Sequence, residues 1–218
     1  MRAIVTGADQ PLGAATAAGL RSSSTNVAAL NVAASDRYYA AGDLNAAVDD
    51  LGGLDLLVLS GWNTGALTAM PFEDLDDTTF ADAWEGGMQG MLWTLQAAIP
   101  HLRASGGNVV VLMPTTGMTG GAHYAPAAAT FEGQRILMKA AARQLGPSGI
   151  RVNAIAVGAE LVLDNAEAAE VHYLAPPAVA GSQSPGDIAD IIGFIVSPAG
   201  RHLSGQTITI DGGRWLAP

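Results

Sequence analysis

The chain has 218 residues, 49% of them hydrophobic and only 14% charged, which suits one compact domain with a sizeable core and argues against disorder. Ten Lys and Arg against twenty Asp and Glu give a formal net charge of −10, with no basic stripe for nucleic-acid phosphates or an anionic membrane surface. The absence of cysteine excludes disulfides and thiolate metal sites, and no apolar run approaches the roughly 18 residues of a membrane span.

In chain order, a first strand at residues 3–5 begins almost at Met1, so no signal peptide is expected and the cytoplasm is the expected compartment. The turn from Thr6 to Gly13 then opens a helix over 13–22, and a second strand follows at 27–32. Only about ten residues, 34–43, come next, so the spacing argues against a full helix there. A third strand at 54–59 precedes a long helix over 76–104. That helix contains Gly86, Gly87 and Gly90, each costing about 0.5–1 kcal/mol relative to Ala. Glycine at those positions permits close approach of another helix. Trp84, Met88, Met91, Leu92, Trp93 and Leu95 also spread around more than one face, more than a sheet alone covers.

A fourth strand at 108–112 leads through Pro114, Thr115 and Thr116 to His123 and Tyr124, then into a helix over 125–145. A fifth strand at 151–157 is followed by an irregular stretch, 160–183, in which Pro176 and Pro177 break any helix. It leaves a strand's C-terminal end, where a lid or a plain surface loop would sit. A helix over 186–196 and a strand at 207–210 complete the pattern. Apolar strands alternating with helices predict an α/β, Rossmann-like, doubly wound parallel sheet, one domain over 1–218.

Of the four histidines, none has metal-ligand spacing, so no metal is expected. Asp164, His172 and Tyr173 in the irregular stretch are minor ligand candidates. No Gly-x-Ser-x-Gly elbow or Gly-Lys-Ser/Thr phosphate loop occurs.

Thr6-Gly7-Ala8-Asp9-Gln10-Pro11-Leu12-Gly13 resembles the Thr-Gly-x-x-x-Gly-x-Gly turn of short-chain dehydrogenases. Leu54-Asp55-Leu56-Leu57-Val58 is similar to that family's fourth strand, and Gly149 to Ile155 to its sixth. Pro185-Gly186-Asp187-Ile188-Ala189, Ser204-Gly205-Gln206 and Asp211-Gly212-Gly213 resemble its C-terminal signature. The resemblance covers nearly the whole chain. It implies a Tyr as general acid/base, a Lys four residues on, a Ser thirteen residues before the Tyr, and an Asn on an earlier helix. Counting from Arg151-Val152-Asn153 puts Ala127 in the Tyr place, Phe131 in the Lys place and Pro114 in the Ser place; Gly87 falls in the Asn place. No Tyr-x-x-x-Lys occurs anywhere, so sliding the register restores nothing.

For the dinucleotide, the resemblance points to Gly7, Leu12, Gly13, Asp43 and Gly61, with Asp43 similar to an adenine-side aspartate. Against it, Pro11 removes an N–H where the backbone should approach a pyrophosphate, Trp62 replaces a glycine, and Asn31 lacks the carboxylate that grips a ribose diol. The surviving glycines are equally explained as turn and packing residues. The expected cofactor is therefore none, or weakly held NAD(P).

The leading expectation is a structural or regulatory subunit without hydride transfer, in a homo- or hetero-oligomer of similar subunits built on helices 76–104 and 125–145. A small-molecule ligand is an open alternative. A second expectation is a non-redox enzyme on the same fold, a lyase, an isomerase or a relative of halohydrin dehalogenases. Those carry a Thr-x4-aromatic-x-Gly turn where Thr6, Pro11 and Gly13 stand, but their Ser, Tyr and Arg fall at Pro114, Ala127 and Phe131. The third is an NAD(P)-dependent oxidoreductase with a rebuilt site, for which Tyr124 and His123 are the nearby ionisable candidates.

Overall fold

The computed structural model describes residues 1–31, 37–62, 67–163, 165, 177–179 and 184–216. Among the described residues six parallel strands form one sheet: β1 (Arg2–Val5), β2 (Asn26–Ala29), β3 (Leu56–Leu59), β4 (Asn108–Pro114), β5 (Arg151–Val157) and β6 (Thr207–Ile210), in the order β2-β1-β3-β4-β5-β6. The helices are α1 (Pro11–Ser22), α2 (Arg37–Leu51), α3 (Asp77–Ser105), α4 (Thr116–Thr119), α5 (Ala125–Leu145) and α6 (Pro185–Val196). α1 packs on α6, while α2, α3 and α5 lie side by side. Helices on both faces bury the central strands from both sides. Val109 to Met113 is consequently an unbroken apolar run with no polar alternation.

The sequence pattern located β5, β6 and α5 to the residue and α1, α3 and α6 to within two residues of each end. The second strand ends earlier than expected, at Ala29, although Leu30 still donates its N–H to the Val5 carbonyl. The expected absence of a helix after it is overturned by α2. The ten residues 34–43 are too few for a full helix only if it ends at Asp43. The helix instead runs past it, burying Ala40, Leu44, Ala47 and Val48 at helical spacing.

The long helix α3 starts on a side-chain cap, where the Asp76 carboxylate accepts from Thr79 N at 2.8 Å, and ends at Gly106 in the left-handed region (φ 64). Its close approach to another helix is made within the chain. A Cβ at Gly87 would collide with Thr130 Cγ2 of α5. Thr130 donates to the Ala83 carbonyl at 3.3 Å, and Gln134 Nε2 donates to the Gly87 carbonyl at 3.0 Å. Met91 and Leu95 face the core, whereas Phe80, Trp84 and Leu92 are exposed, so α3 is apolar on two sides.

The strand order reverses between β1 and β3. In open α/β sheets that switch point, at the strands' C-terminal ends, opens the crevice where ligands bind. Here it brings Thr6 and Gly7, leaving β1, beside Ser60, Gly61 and Trp62, leaving β3.

Candidate functional site

The walls of the crevice are held by short backbone ties. Thr6 N donates to the Val58 carbonyl at 2.9 Å, and Ser60 Oγ donates to the Thr6 carbonyl at 2.5 Å. Gly7 has φ +70, and a Cβ there would stand 2.7 Å from the Ser60 carbonyl and 2.8 Å from Gly61 Cα. A Cβ at Gly13 would run into the Gly7 carbonyl and stand 2.7 Å from Ser60 Oγ. The structure thus brings Gly7, Gly13 and Gly61 together, and gives two of them a packing reason independent of any ligand. Leu12 is buried beside them. Asp43 is exposed on α2 and lines neither cavity described below. Asn31 is also exposed.

α1 begins with Pro11 in its first turn, behind Gln10 as N-cap residue with no side-chain cap bond. Gln10 Nε2 donates instead to the Trp62 carbonyl at 2.7 Å. This ties the start of α1 to the loop after β3. The Trp62 indole is buried and meets Phe131 of α5 edge to face, with ring centroids 5.7 Å apart at 90°.

Phe131 and Ala127 share the buried face of α5 with Gln134, Met138 and Ala142, one helical turn apart, and each is 1% exposed. Phe131 also fits under α4, where a Cβ on Gly117 would stand 2.8 Å from its own Cβ. Pro114 ends β4, buried and paired with Val157. Thr115 and Thr116 follow it into the interior, and Thr116 Oγ1 has no hydrogen-bond partner.

Tyr124 and His123 part company at the start of α5. Tyr124 is buried, and its hydroxyl donates to the Asn165 carbonyl at 3.1 Å. His123 is exposed in the left-handed region (φ 63), and its carbonyl accepts from Met70 N at 2.8 Å. The carboxyls held below the usual range serve the scaffold. Arg2 lowers Asp55 through a side-chain hydrogen bond, Thr79 lowers Asp76, and Ser184 lowers Asp187 in the capping box of α6.

Two cavities open around the crevice. One of about 20 Å³, room for about one water, is lined by Thr6, Gly61, Gly86, Gly87, Gly90 and Gln134, among others. The other, of about 260 Å³, lies between the start of α1, Trp62 and the turn after β5. Sequence reasoning missed the Trp62–Phe131 contact and the place of Gln10 and Glu160 in that second wall. Asp164, His172 and Tyr173 lie outside the described residues, as does most of the segment read as a lid or loop. Among the described residues no cluster of His, Asp and Glu could hold a metal, and no helix is long and apolar enough to cross a membrane.

A family model described as enoyl-(acyl carrier protein) reductase matches residues 2–214. The chain is 31% identical over 193 residues to a 3-oxoacyl-(acyl-carrier-protein) reductase of Staphylococcus aureus, covering 85% of this chain and 75% of that one. It is 30% identical over 170 residues to the trans-4-hydroxycyclohexanecarboxylate dehydrogenase of Sinomonas cyclohexanicum; that match covers 78% of this chain but only 64% of the relative, less than two thirds of its length. Among solved structures, a 3-ketoacyl-(acyl-carrier-protein) reductase from Brucella melitensis complexed with NADH superposes with a TM-score of 0.84 at 22% identity, covering 98% of this chain and 97% of that one. A short-chain dehydrogenase from Burkholderia cenocepacia in complex with NADP does so with a TM-score of 0.78 at 24% identity, over 98% and 97%. With the parallel sheet, the glycine turn at its switch point and a family match over nearly its full length, the chain belongs to the short-chain dehydrogenase/reductase family.

Proposed function

We propose that this chain, read as one domain over 1–218, does not transfer hydride and serves as a structural or regulatory subunit. The observation that carries the reading is the buried pair Phe131–Trp62, which lies where the family resemblance places an ammonium and the edge of the nucleotide channel. A positioned general acid/base contributes about 10²–10⁴-fold, or roughly 3–5 kcal/mol of barrier. Ala127 supplies neither acid nor base, and Phe131 supplies no cation to bring a tyrosine toward neutral pH.

Dinucleotide binding is weak or absent on this reading. Pro11 offers no N–H to a pyrophosphate, and the described walls of the larger cavity contain no Lys or Arg while including Glu160. Gly7, Leu12, Gly13 and Gly61 are kept as packing residues, and Asp43 as a solvated helix residue. If chemistry persists, Tyr124 or His123 carries it. The exposed residues Phe80, Trp84 and Leu92 on α3, with Ile136 on α5, form the face through which the subunit associates with a second short-chain dehydrogenase-like chain. A cytoplasmic setting fits this role. Calorimetric titration with NADH and NADPH tests the reading: weak or undetectable heat is expected, and a micromolar or tighter dissociation constant for either would overturn it.

A further inference from the structure

The 260 Å³ cavity is walled by Pro11, Leu12, Trp62, Leu161, Val162 and Leu163, with Gln10 and Glu160 as its polar members. Its volume lies just under the roughly 300–1,000 Å³ of drug-sized ligand pockets, so it suits a smaller molecule. Gln10 is 6% exposed. Its Nε2 is committed to the Trp62 carbonyl, which fixes the amide's orientation and leaves Oε1 as a buried acceptor with no partner. An acceptor buried without a partner is destabilising, and a ligand N–H or O–H would satisfy it.

The charge of the ligand follows from two opposed fields. Glu160 and the chain's net charge of −10 repel an anion, and no Lys, Arg or His stands among the described wall residues to offset them. A cation meets the start of α1, whose N-terminal end carries the positive pole of the helix dipole. The two fields are small and oppose each other for either sign of charge, so neither ion gains enough to offset the hydration it loses among mostly apolar walls, whereas an uncharged molecule has no such loss.

We propose that this cavity binds a small uncharged molecule with an apolar body and one hydroxyl or amide donor. The inference rests on the reading above that the crevice does not hold a dinucleotide. Ligand-detected NMR and calorimetry with 2-phenylethanol, propylbenzene, phenylacetate, phenethylamine and NADH test it on the full chain. Binding of 2-phenylethanol is expected, with propylbenzene at least about five-fold weaker for want of a donor. Phenylacetate and phenethylamine should be weaker still, and binding should be lost in Leu161→Trp, which fills the cavity from a half-exposed position. A Gln10→Leu variant should bind the alcohol and propylbenzene alike. Equal or tighter binding of either ion, unchanged binding in Leu161→Trp, or silence from every small probe overturns the proposal alone. Micromolar NADH binding overturns this proposal and the preceding reading together.

Discussion

Replacing Phe131 by alanine separates a repacked core from a working site. In a site built for catalysis the group at this position would be polar and would add little to folding. Here the ring is 1% exposed, lies edge-on to Trp62 at 5.7 Å and has α4 packed over its Cβ. Truncating a buried phenylalanine costs about 3–5 kcal/mol, a large share of the roughly 5–15 kcal/mol that holds a domain folded. At roughly 2–4 °C per kcal/mol for a chain of this size, the midpoint should fall by roughly 6–20 °C. Urea and thermal unfolding followed by circular dichroism would measure it, with Phe72→Ala as a control at 78% exposure expected to stay within about 0.5 kcal/mol. Combining Phe131→Ala with Trp62→Ala should reveal about 0.5–1.5 kcal/mol of coupling for the aromatic pair. A loss at Phe131 under about 1 kcal/mol, or strictly additive effects, would refute the argument that this site has become core.

Restoring the family's asparagine by Gly87→Asn should destabilise the fold by about 1–3 kcal/mol, because its Cβ meets Thr130 Cγ2, and Thr130→Ser should recover part of that loss in the same unfolding assay. Gly13→Ala should destabilise the chain whether or not a dinucleotide is present, since the new methyl meets the Gly7 carbonyl; equal stability would reopen a ligand-based reason for that glycine. Asp55 is held below its usual 3.8 chiefly by its hydrogen bond from Arg2, so its contribution is fully present above that value and is lost as the pH falls through the lowered one; Asp55→Asn should flatten this acid limb in pH-dependent unfolding. Light scattering should show at least a dimer at tens of micromolar, weakened by Ile136→Glu. Gly90 is a poor probe of that face because it lies on the buried side of α3, where a larger residue would disturb the chain's own packing.

The parts of this fold that were legible in the sequence are those governed by local pattern. The ends of α5 follow from Pro126 in its first turn and the glycine after Leu145, and β5 from an apolar run too short for a helix. α2 was missed because the stretch weighed ended at residue 43, short of Leu44, Ala47 and Val48, which continue its buried face at helical spacing. The substitutions at Gly87, Pro114, Ala127 and Phe131 were legible as losses, but not what replaced them. Trp62 and Phe131 are far apart in the chain, and only the β1–β3 switch point and the packing of α5 bring them into contact. The helix glycines suggested a neighbouring subunit, yet the sequence held no sign that Thr130 of the same chain fills the space at Gly87. Gln10 was equally opaque, since its role depends on a carbonyl beyond the third strand.

The most direct measurement is a hydride-transfer assay, following NADH and NADPH oxidation with a panel of ketones and 3-oxoacyl thioesters, and the reverse reaction with alcohols. The Staphylococcus aureus 3-oxoacyl-(acyl-carrier-protein) reductase would serve as positive control. The expected result is no turnover above that of a heat-denatured sample in either direction. Steady turnover that co-elutes with the protein, scales with its concentration and disappears in a Tyr124→Phe or His123→Ala variant would contradict the account and identify a rebuilt active site.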